Sequence, residues 1–116
     1  MSHNFDIQST KQGTVQILRI KGFLDAHTAH ILERTIEEKV KAKEFSIIVN
    51  FKDLDYISSA GLGVFMVFIE EIRSGGGDIK LVEMKPKVFT VFDLLGFPML
   101  FDILQNEQEA VSKFQV

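Results

Sequence analysis

The stretch from Phe45 to Arg73 reads FSIIVNFKDLDYISSAGLGVFMVFIEEIR and contains the two elements that decide the fold. Phe45 to Phe51 is short, β-branched and almost wholly apolar, which is typical of a central strand covered on both faces. Ala60 to Arg73 is apolar on nearly every side, which predicts a helix buried on most of its faces. We predict a loop over Asp53 to Ile57 between them, and Gly75-Gly76-Gly77 ends the helix.

Strands and helices alternate outward from this stretch in both directions. On the N-terminal side, two strands joined at Gly13 form a predicted hairpin, and a stripe of apolar residues at steps of three and four predicts an amphipathic helix over 29–40. On the C-terminal side we predict a strand over 78–83, a helix opened by Pro86, a short strand near Leu104 and a last helix. This order predicts an α/β fold with a mixed, mostly parallel sheet, an N-terminal hairpin and about four helices. The predicted domain covers residues 1–116, with hairpin strands over 5–9 and 15–22.

Composition and net charge argue against several functional classes for this chain. The 116-residue chain has 13 basic and 16 acidic side chains, and its net charge of −3 disfavours a nucleic-acid binder, which needs a basic surface. It has no cysteine, which excludes thiolate metal sites and cysteine nucleophiles. The N-terminus lacks the regions of a signal peptide, and the longest apolar-rich run, Val64 to Ile69, is far shorter than the ~20 residues that cross a bilayer. We expect a cytoplasmic protein that does not insert into membranes.

The candidate site is the start of the apolar helix, where Ser58 and Ser59 lie side by side. One interpretation is an N-cap, because the first N–H groups of a helix need acceptors. The other is a phosphorylation site, because a helix N-terminus favours negative charge and a serine there carries a phosphate without melting the helix. Small residues at Ala60, Gly61 and Gly63 would let another protein approach closely.

Several segments resemble the STAS domain, and specifically the stand-alone bacterial anti-sigma factor antagonists. Gly22-Phe23-Leu24-Asp25 is similar to the family's G-x-L/I-D before the first helix. Val49-Asn50-Phe51-Lys52-Asp53-Leu54 resembles its strand and acidic loop, and Ile57-Ser58-Ser59-Ala60-Gly61-Leu62-Gly63 resembles its phosphorylation loop. Gly75-Gly76-Gly77 and Leu95-Gly96-Phe97 lie where the family has a turn and an apolar element. The resemblance covers nearly the whole chain and implies a single STAS-like domain.

The resemblance implies a partner switch. Such proteins bind an anti-sigma factor that is also a serine kinase, are released when that kinase phosphorylates them, and are reset by a PP2C-type phosphatase. The matching acceptor is Ser59, with Ser58 as the alternative, since Ser58 stands where the family often has aspartate. The implied partner-binding residues are Asp25, Asp53, Ser58, Ser59, Gly61 and Leu62.

Other functions have weaker support in the sequence. A non-phosphorylated STAS scaffold, or a partner-switching module that does not control a sigma factor, is the alternative that the resemblance leaves open. Ser59 lacks the G-x-S-x-G of a nucleophile elbow, so we expect no enzyme and no catalytic residue. His27 and His30 stand three residues apart but have no third ligand nearby in sequence, and no phosphate-binding glycine motif is present. We therefore expect neither a metal nor a cofactor.

Overall fold

The computed structural model describes residues 5–114 and contains one five-stranded sheet. The strands lie side by side in chain order, β1 paired antiparallel with β2 as a hairpin and the other neighbours paired parallel. This confirms the predicted α/β fold and its mixed, mostly parallel sheet. The strands are β1 (Phe5–Gln12), β2 (Val15–Leu24), β3 (Ser46–Ile57), β4 (Asp78–Val82) and β5 (Ile103–Leu104).

Three helices connect the parallel strands and form one layer on the sheet. Because crossovers between parallel strands are right-handed, strands that follow in chain order carry their connecting helices on the same face. The main core accordingly lies between this layer and the sheet and includes Leu32, Phe65 and Phe92 from successive helices. The helices are α1 (Ala29–Lys41), α2 (Ser59–Ser74) and α3 (Pro86–Leu94), and a 3-10 turn over Phe97–Met99 follows α3.

The opposite face of the sheet carries the C-terminal helix α4 (Glu107–Phe114). It covers a smaller cluster to which it contributes Ala110 and Val111. At its start, Glu107 accepts two hydrogen bonds of 2.8 Å from the Arg19 guanidinium and one of 2.7 Å from the Asn50 amide. These polar contacts join α4 to β2 and β3, so the helix is held by charge as well as by burial.

The loop predicted over Asp53 to Ile57 is wrong, because β3 continues to Ile57. Its second half stays paired with β2, with Leu54 opposite Gly22 and Tyr56 opposite Phe23. Asp55 is the extra residue at this irregularity, so Leu54 and Ile57 both face the core although they are three residues apart. A β-bulge of this kind breaks the two-residue alternation by which a strand is identified in a sequence.

Helix α2 differs from its predicted burial on one side. Leu62, Phe65 and the other inward residues are buried as expected, but 46% of Met66 and 62% of Val67 is exposed. The outward side of α2 is therefore apolar around Met66 and Val67, before the exposed Glu70 and Glu71 one turn later. The first strand is also longer than the predicted segment, since its polar second half pairs with the start of β2.

Candidate functional site

The candidate site lies where β2 and β3 end next to each other. The Ser58 amide donates a hydrogen bond of 2.9 Å to the Leu24 carbonyl, which ties the start of α2 to the last residue of β2. Asp25 follows Leu24 directly, so this bond brings Asp25 close to the two serines. The carboxyl ends of parallel strands are the usual place for a functional site in α/β folds.

The two serines have different roles in the helix start. Ser58 is the N-cap of α2, with an extended backbone (φ −104°, ψ 174°), and its hydroxyl accepts a hydrogen bond of 3.4 Å from the Gly61 amide. Ser59 is the first helical residue, is exposed, and makes no side-chain hydrogen bond to any residue between 5 and 114. The capping interpretation thus fits Ser58, while the Ser59 hydroxyl is accessible for modification.

Gly61 and Leu62 lie on the buried side of the first turn of α2. A Cβ atom on Gly61 would lie 2.7 Å from the Leu24 Cγ atom and 3.0 Å from the Leu24 carbonyl oxygen, so only glycine lets α2 approach β2 this closely. Leu62 is 2% exposed and faces the core. Neither residue offers a side chain to a partner in this conformation, although both were predicted as partner-binding residues. A Cβ on Gly63, by contrast, would meet no atom within 4 Å.

Asp25 fixes the turn that precedes α1. Its carboxylate accepts hydrogen bonds from the His27 amide at 2.9 Å and the Thr28 amide at 3.2 Å, and the Thr28 hydroxyl donates to the Phe23 carbonyl at 2.8 Å. Desolvation raises the pKa of the Asp25 carboxyl, but the hydrogen bonds from His27 and Thr28 outweigh it and hold this pKa below its ordinary value. Asp25 is therefore ionised at neutral pH, which places a negative charge beside the serines.

Asp53 is not brought to the serines. It lies on β3 five residues before Ser58, a separation of about 16 Å along an extended strand. Asp53 instead lines an open cleft of about 590 Å³ together with Lys21 and Asp55. Asp55 is ion-paired with Lys85, whose hydrogen bond holds the pKa of this carboxyl below its ordinary range.

Two exposed aromatic residues at the site were missed in the sequence. Phe23 is 43% and Tyr56 is 48% exposed, and their ring centroids lie 6.0 Å apart across the ends of β2 and β3. Aromatic side chains are enriched where proteins bind one another. The sequence did carry one signal, since Tyr56 is the chain's only tyrosine, but the loop predicted at that position concealed its place opposite Phe23.

Residues 5–114 offer neither a cluster of metal ligands nor a membrane-spanning helix. That part of the chain contains no group of three or more histidine, cysteine, aspartate or glutamate side chains that could hold a metal ion. His27, in the turn before α1, and His30, in the first turn of α1, are both exposed. None of the described helices is long and apolar enough to cross a membrane.

Comparison with known proteins relates the chain to one family. The sequence pattern that defines the STAS domain matches residues 6–110. An anti-sigma F factor antagonist of Paenibacillus polymyxa is 27% identical over 114 residues, which is 97% of each chain. An anti-sigma factor antagonist from Mycobacterium paratuberculosis superposes with a TM-score of 0.88 at 18% identity, over 97% of this chain and 95% of that one. The Bacillus cell fate determinant SpoIIAA in its phosphorylated form superposes with a TM-score of 0.71 at 23% identity, over 94% and 97%.

The chain belongs to the STAS domain family, because the family pattern covers most of its length. The resemblance identified in the sequence is thereby confirmed. The two solved structures share the fold with this chain. The relatives are described as antagonists of other proteins rather than as enzymes, which agrees with a binding domain that catalyses no reaction.

Proposed function

We propose that this protein is an anti-sigma factor antagonist whose binding is switched off by phosphorylation of Ser59. In its unphosphorylated form it binds an anti-sigma factor that is also a serine kinase, and the phosphate that this kinase adds ends the complex. A PP2C-type phosphatase restores the binding form. The whole chain, residues 1–116, acts as one STAS domain in the cytoplasm. The relative from Paenibacillus polymyxa, described as an anti-sigma F factor antagonist, supports the proposal.

The observation that carries the proposal is the division of labour between Ser58 and Ser59. The Ser58 hydroxyl already caps α2, whereas the Ser59 hydroxyl is exposed at the first helical position. A phosphate there lies at the positive end of the helix dipole, and the first turn of α2 contains no acidic residue that would repel it. We therefore expect α2 to stay folded after phosphorylation, so the switch acts on the partner rather than on the fold.

The surroundings explain how a phosphate would end binding. Exposed apolar side chains flank the serines in sequence: Tyr56, which packs against Phe23, comes two residues before Ser58, and Met66 and Val67 lie farther along α2. A partner docked over these side chains would strip water from the phosphate, which adds about −1.5 to −2 charges at neutral pH. Burying such a charge without a cationic partner costs several kcal/mol. The Asp25 carboxylate adds to the repulsion.

The test measures binding of the kinase-type anti-sigma factor encoded in the same genome by isothermal calorimetry. Ser59→Asp is expected to weaken binding about 100-fold or more, which corresponds to about 2.8 kcal/mol. Ser59→Ala is expected to bind like the wild type and to resist release when ATP is added. Ser9→Asp is the matched control, because Ser9 is exposed on β1 and the same charge there should leave binding unchanged.

Phosphopeptide mapping of the protein from its own host completes the test. Phosphate on Ser59 whose occupancy falls when sigma activity rises supports the proposal. Phosphate on Ser58 would retain the switch and move the acceptor by one residue. Wild-type binding by Ser59→Asp, together with an unmodified peptide under every condition, would remove phosphorylation from the function and favour a STAS scaffold.

A further inference from the structure

A second exposed apolar surface lies at the far end of α3. We call it the tip surface and define it by Leu94, Leu95, Met99 and Leu100, which are 79%, 57%, 89% and 44% exposed. Together these side chains expose roughly 500 Å² of apolar area, which lies within the 300–600 Å² of the largest patch on a typical monomer. The largest apolar patch on a monomer is often functional, which makes the tip surface a candidate binding surface.

The tip surface is held rigidly by the core beneath it. Phe92, Phe97 and Phe101 lie between its residues in sequence. The Phe92 and Phe97 rings meet edge to face with centroids 5.3 Å apart, and Phe97 stacks on Phe101 at 5.5 Å. The Arg73 guanidinium at the end of α2 donates a hydrogen bond to the Leu100 carbonyl. A surface that is already ordered loses little conformational entropy when it binds.

The absence of charged side chains indicates what kind of partner the tip surface binds. Residues 94–101 read LLGFPMLF, eight consecutive residues without a charged side chain. In a symmetric dimer each residue near the axis faces its own copy or a close neighbour, so a charged centre would repel itself whereas a neutral apolar one fits itself. Two tip surfaces in full contact would remove about 1,000 Å² from water, which is the lower limit for a biological interface and fits a weak dimer.

We propose that the tip surface binds a second copy of this chain and forms a two-fold symmetric dimer. This goes beyond the switch at Ser59, because the two sites lie at opposite ends of the helical layer. Helix α2 runs from Ser59 to Ser74 and spans about 24 Å between them, and Arg73 at its end contacts the tip surface. Both Ser59 sites therefore stay open in the dimer, which presents two anti-sigma binding faces.

The first experiment is sedimentation analysis of the purified chain. The weight-average mass is expected to rise from 13.2 kDa toward twice that value as concentration increases from about 1 µM to about 500 µM, because dimerisation follows mass action. The double variant Leu94→Gln with Met99→Gln should stay at 13.2 kDa. Met66→Gln with Val67→Gln, a matched pair of exposed apolar residues on α2, should dimerise like the wild type.

Cysteine cross-linking gives a second readout that does not depend on loss of binding. The chain has no cysteine, so Met99→Cys places a single thiol in the tip surface and Glu33→Cys places one on exposed α1. A short bis-maleimide should link Met99→Cys into dimers and leave Glu33→Cys monomeric.

The outcomes separate this proposal from the phosphorylation switch. A wild-type chain that remains monomeric at the highest concentration overturns the dimer, and so does a dimer that the Leu94 and Met99 variant leaves intact. Equal cross-linking of the two cysteine variants also contradicts it. Ser59→Asp should leave the dimer unchanged, so failure of the switch and failure of the dimer give different results.

Discussion

Helices α1 and α2 pack next to each other on the same face of the sheet, yet they meet the solvent differently. Both bury an apolar side, with Leu32 and Ile36 from α1 and Phe65 and Ile72 from α2 at 0% exposure. The outward side of α1 is charged and includes an ion pair of 3.8 Å between Lys41 and Glu37. The exposed residues of α1 are His30, Glu33, Arg34, Glu37, Glu38 and Lys41.

The first half of α2 instead exposes Met66 and Val67 beside the half-buried Gly63, and its exposed charged residues, Glu70, Glu71 and Arg73, come only farther along. Stability of the monomer does not explain exposed apolar side chains at Met66 and Val67, because area that stays in water gains no free energy from folding. It does not explain Gly63 either, because a glycine inside a helix is less stable than alanine by about 1 kcal/mol. The comparison teaches that α1 is adapted to water along its whole outward side, whereas the first half of α2 has the composition of a binding surface. The two glycines near the start of α2 test this difference.

Gly61→Ala has the largest expected effect on stability. The new Cβ atom would approach the Leu24 carbonyl oxygen to 3.0 Å and Ile57 Cγ1 to 3.1 Å, so α2 must move away from the ends of β2 and β3. We expect the free energy of unfolding to fall by about 1–3 kcal/mol, measured by urea denaturation. The first turn of α1 contains Ala29, whose Cβ atom is accommodated there. The requirement for glycine in the first turn is therefore specific to α2. Unchanged stability would show that the helix start adjusts freely.

Gly63→Ala should have a smaller effect of the opposite sign. A Cβ there meets no atom within 4 Å, so the higher helix propensity of alanine should raise the free energy of unfolding by about 0.5–1 kcal/mol. The same change places a methyl group on the outward side of α2 and is expected to weaken binding of the anti-sigma partner. Calorimetry on the folded variant separates the two effects. Destabilisation of the free chain would mean that folding, not a partner, selects glycine at this position.

The smallest effect is the part of the pH dependence of stability that comes from Asp25, in the turn before α1. The folded-state pKa of Asp25 is depressed, so the stability from its carboxylate is complete above the unfolded-state pKa of about 3.9 and is lost as pH falls through the lower folded-state pKa. The stability difference between wild type and Asp25→Asn should be constant at neutral pH and shrink in that acidic range.

Carbon-detected NMR titration of the Asp25 carboxyl checks the direction of this shift. Ser58→Ala is the control, because a hydroxyl cap does not titrate and its loss should lower stability equally at every pH. A folded-state pKa of Asp25 at or above about 3.9 would contradict the hydrogen-bonded turn.

The sequence predicts the fold well because most elements carry clean periodic patterns. The apolar stripe of α1, the β-branched start of β3 and the glycines after α2 each lead to the element that the structure contains. The second half of β3 was missed because the bulge at Asp55 moves its core residues, Leu54 and Ile57, out of two-residue alternation. That irregularity arises from pairing with β2, a contact that no local pattern records.

The candidate site is predictable only in part. The pairing of Ser58 and Ser59 with a helix start follows from local sequence, and the structure assigns the cap to Ser58. The sequence could not predict that Leu62 is buried and Met66 exposed. A helix that is apolar on nearly every side carries no periodic pattern that marks its outward side. Phe23 and Tyr56 meet only through strand register.

The single tyrosine gives the protein a built-in optical reporter. Tyr56 is the only tyrosine in a chain without tryptophan, so ultraviolet emission excited near the tyrosine band comes from one ring at the candidate site. That ring is about half exposed and packs against Phe23, two residues before Ser58. Quenching by iodide, emission lifetime and rotational anisotropy would therefore each report on the binding surface of the unlabelled, unmutated protein, and a tryptophan-free partner fragment could be titrated into it directly.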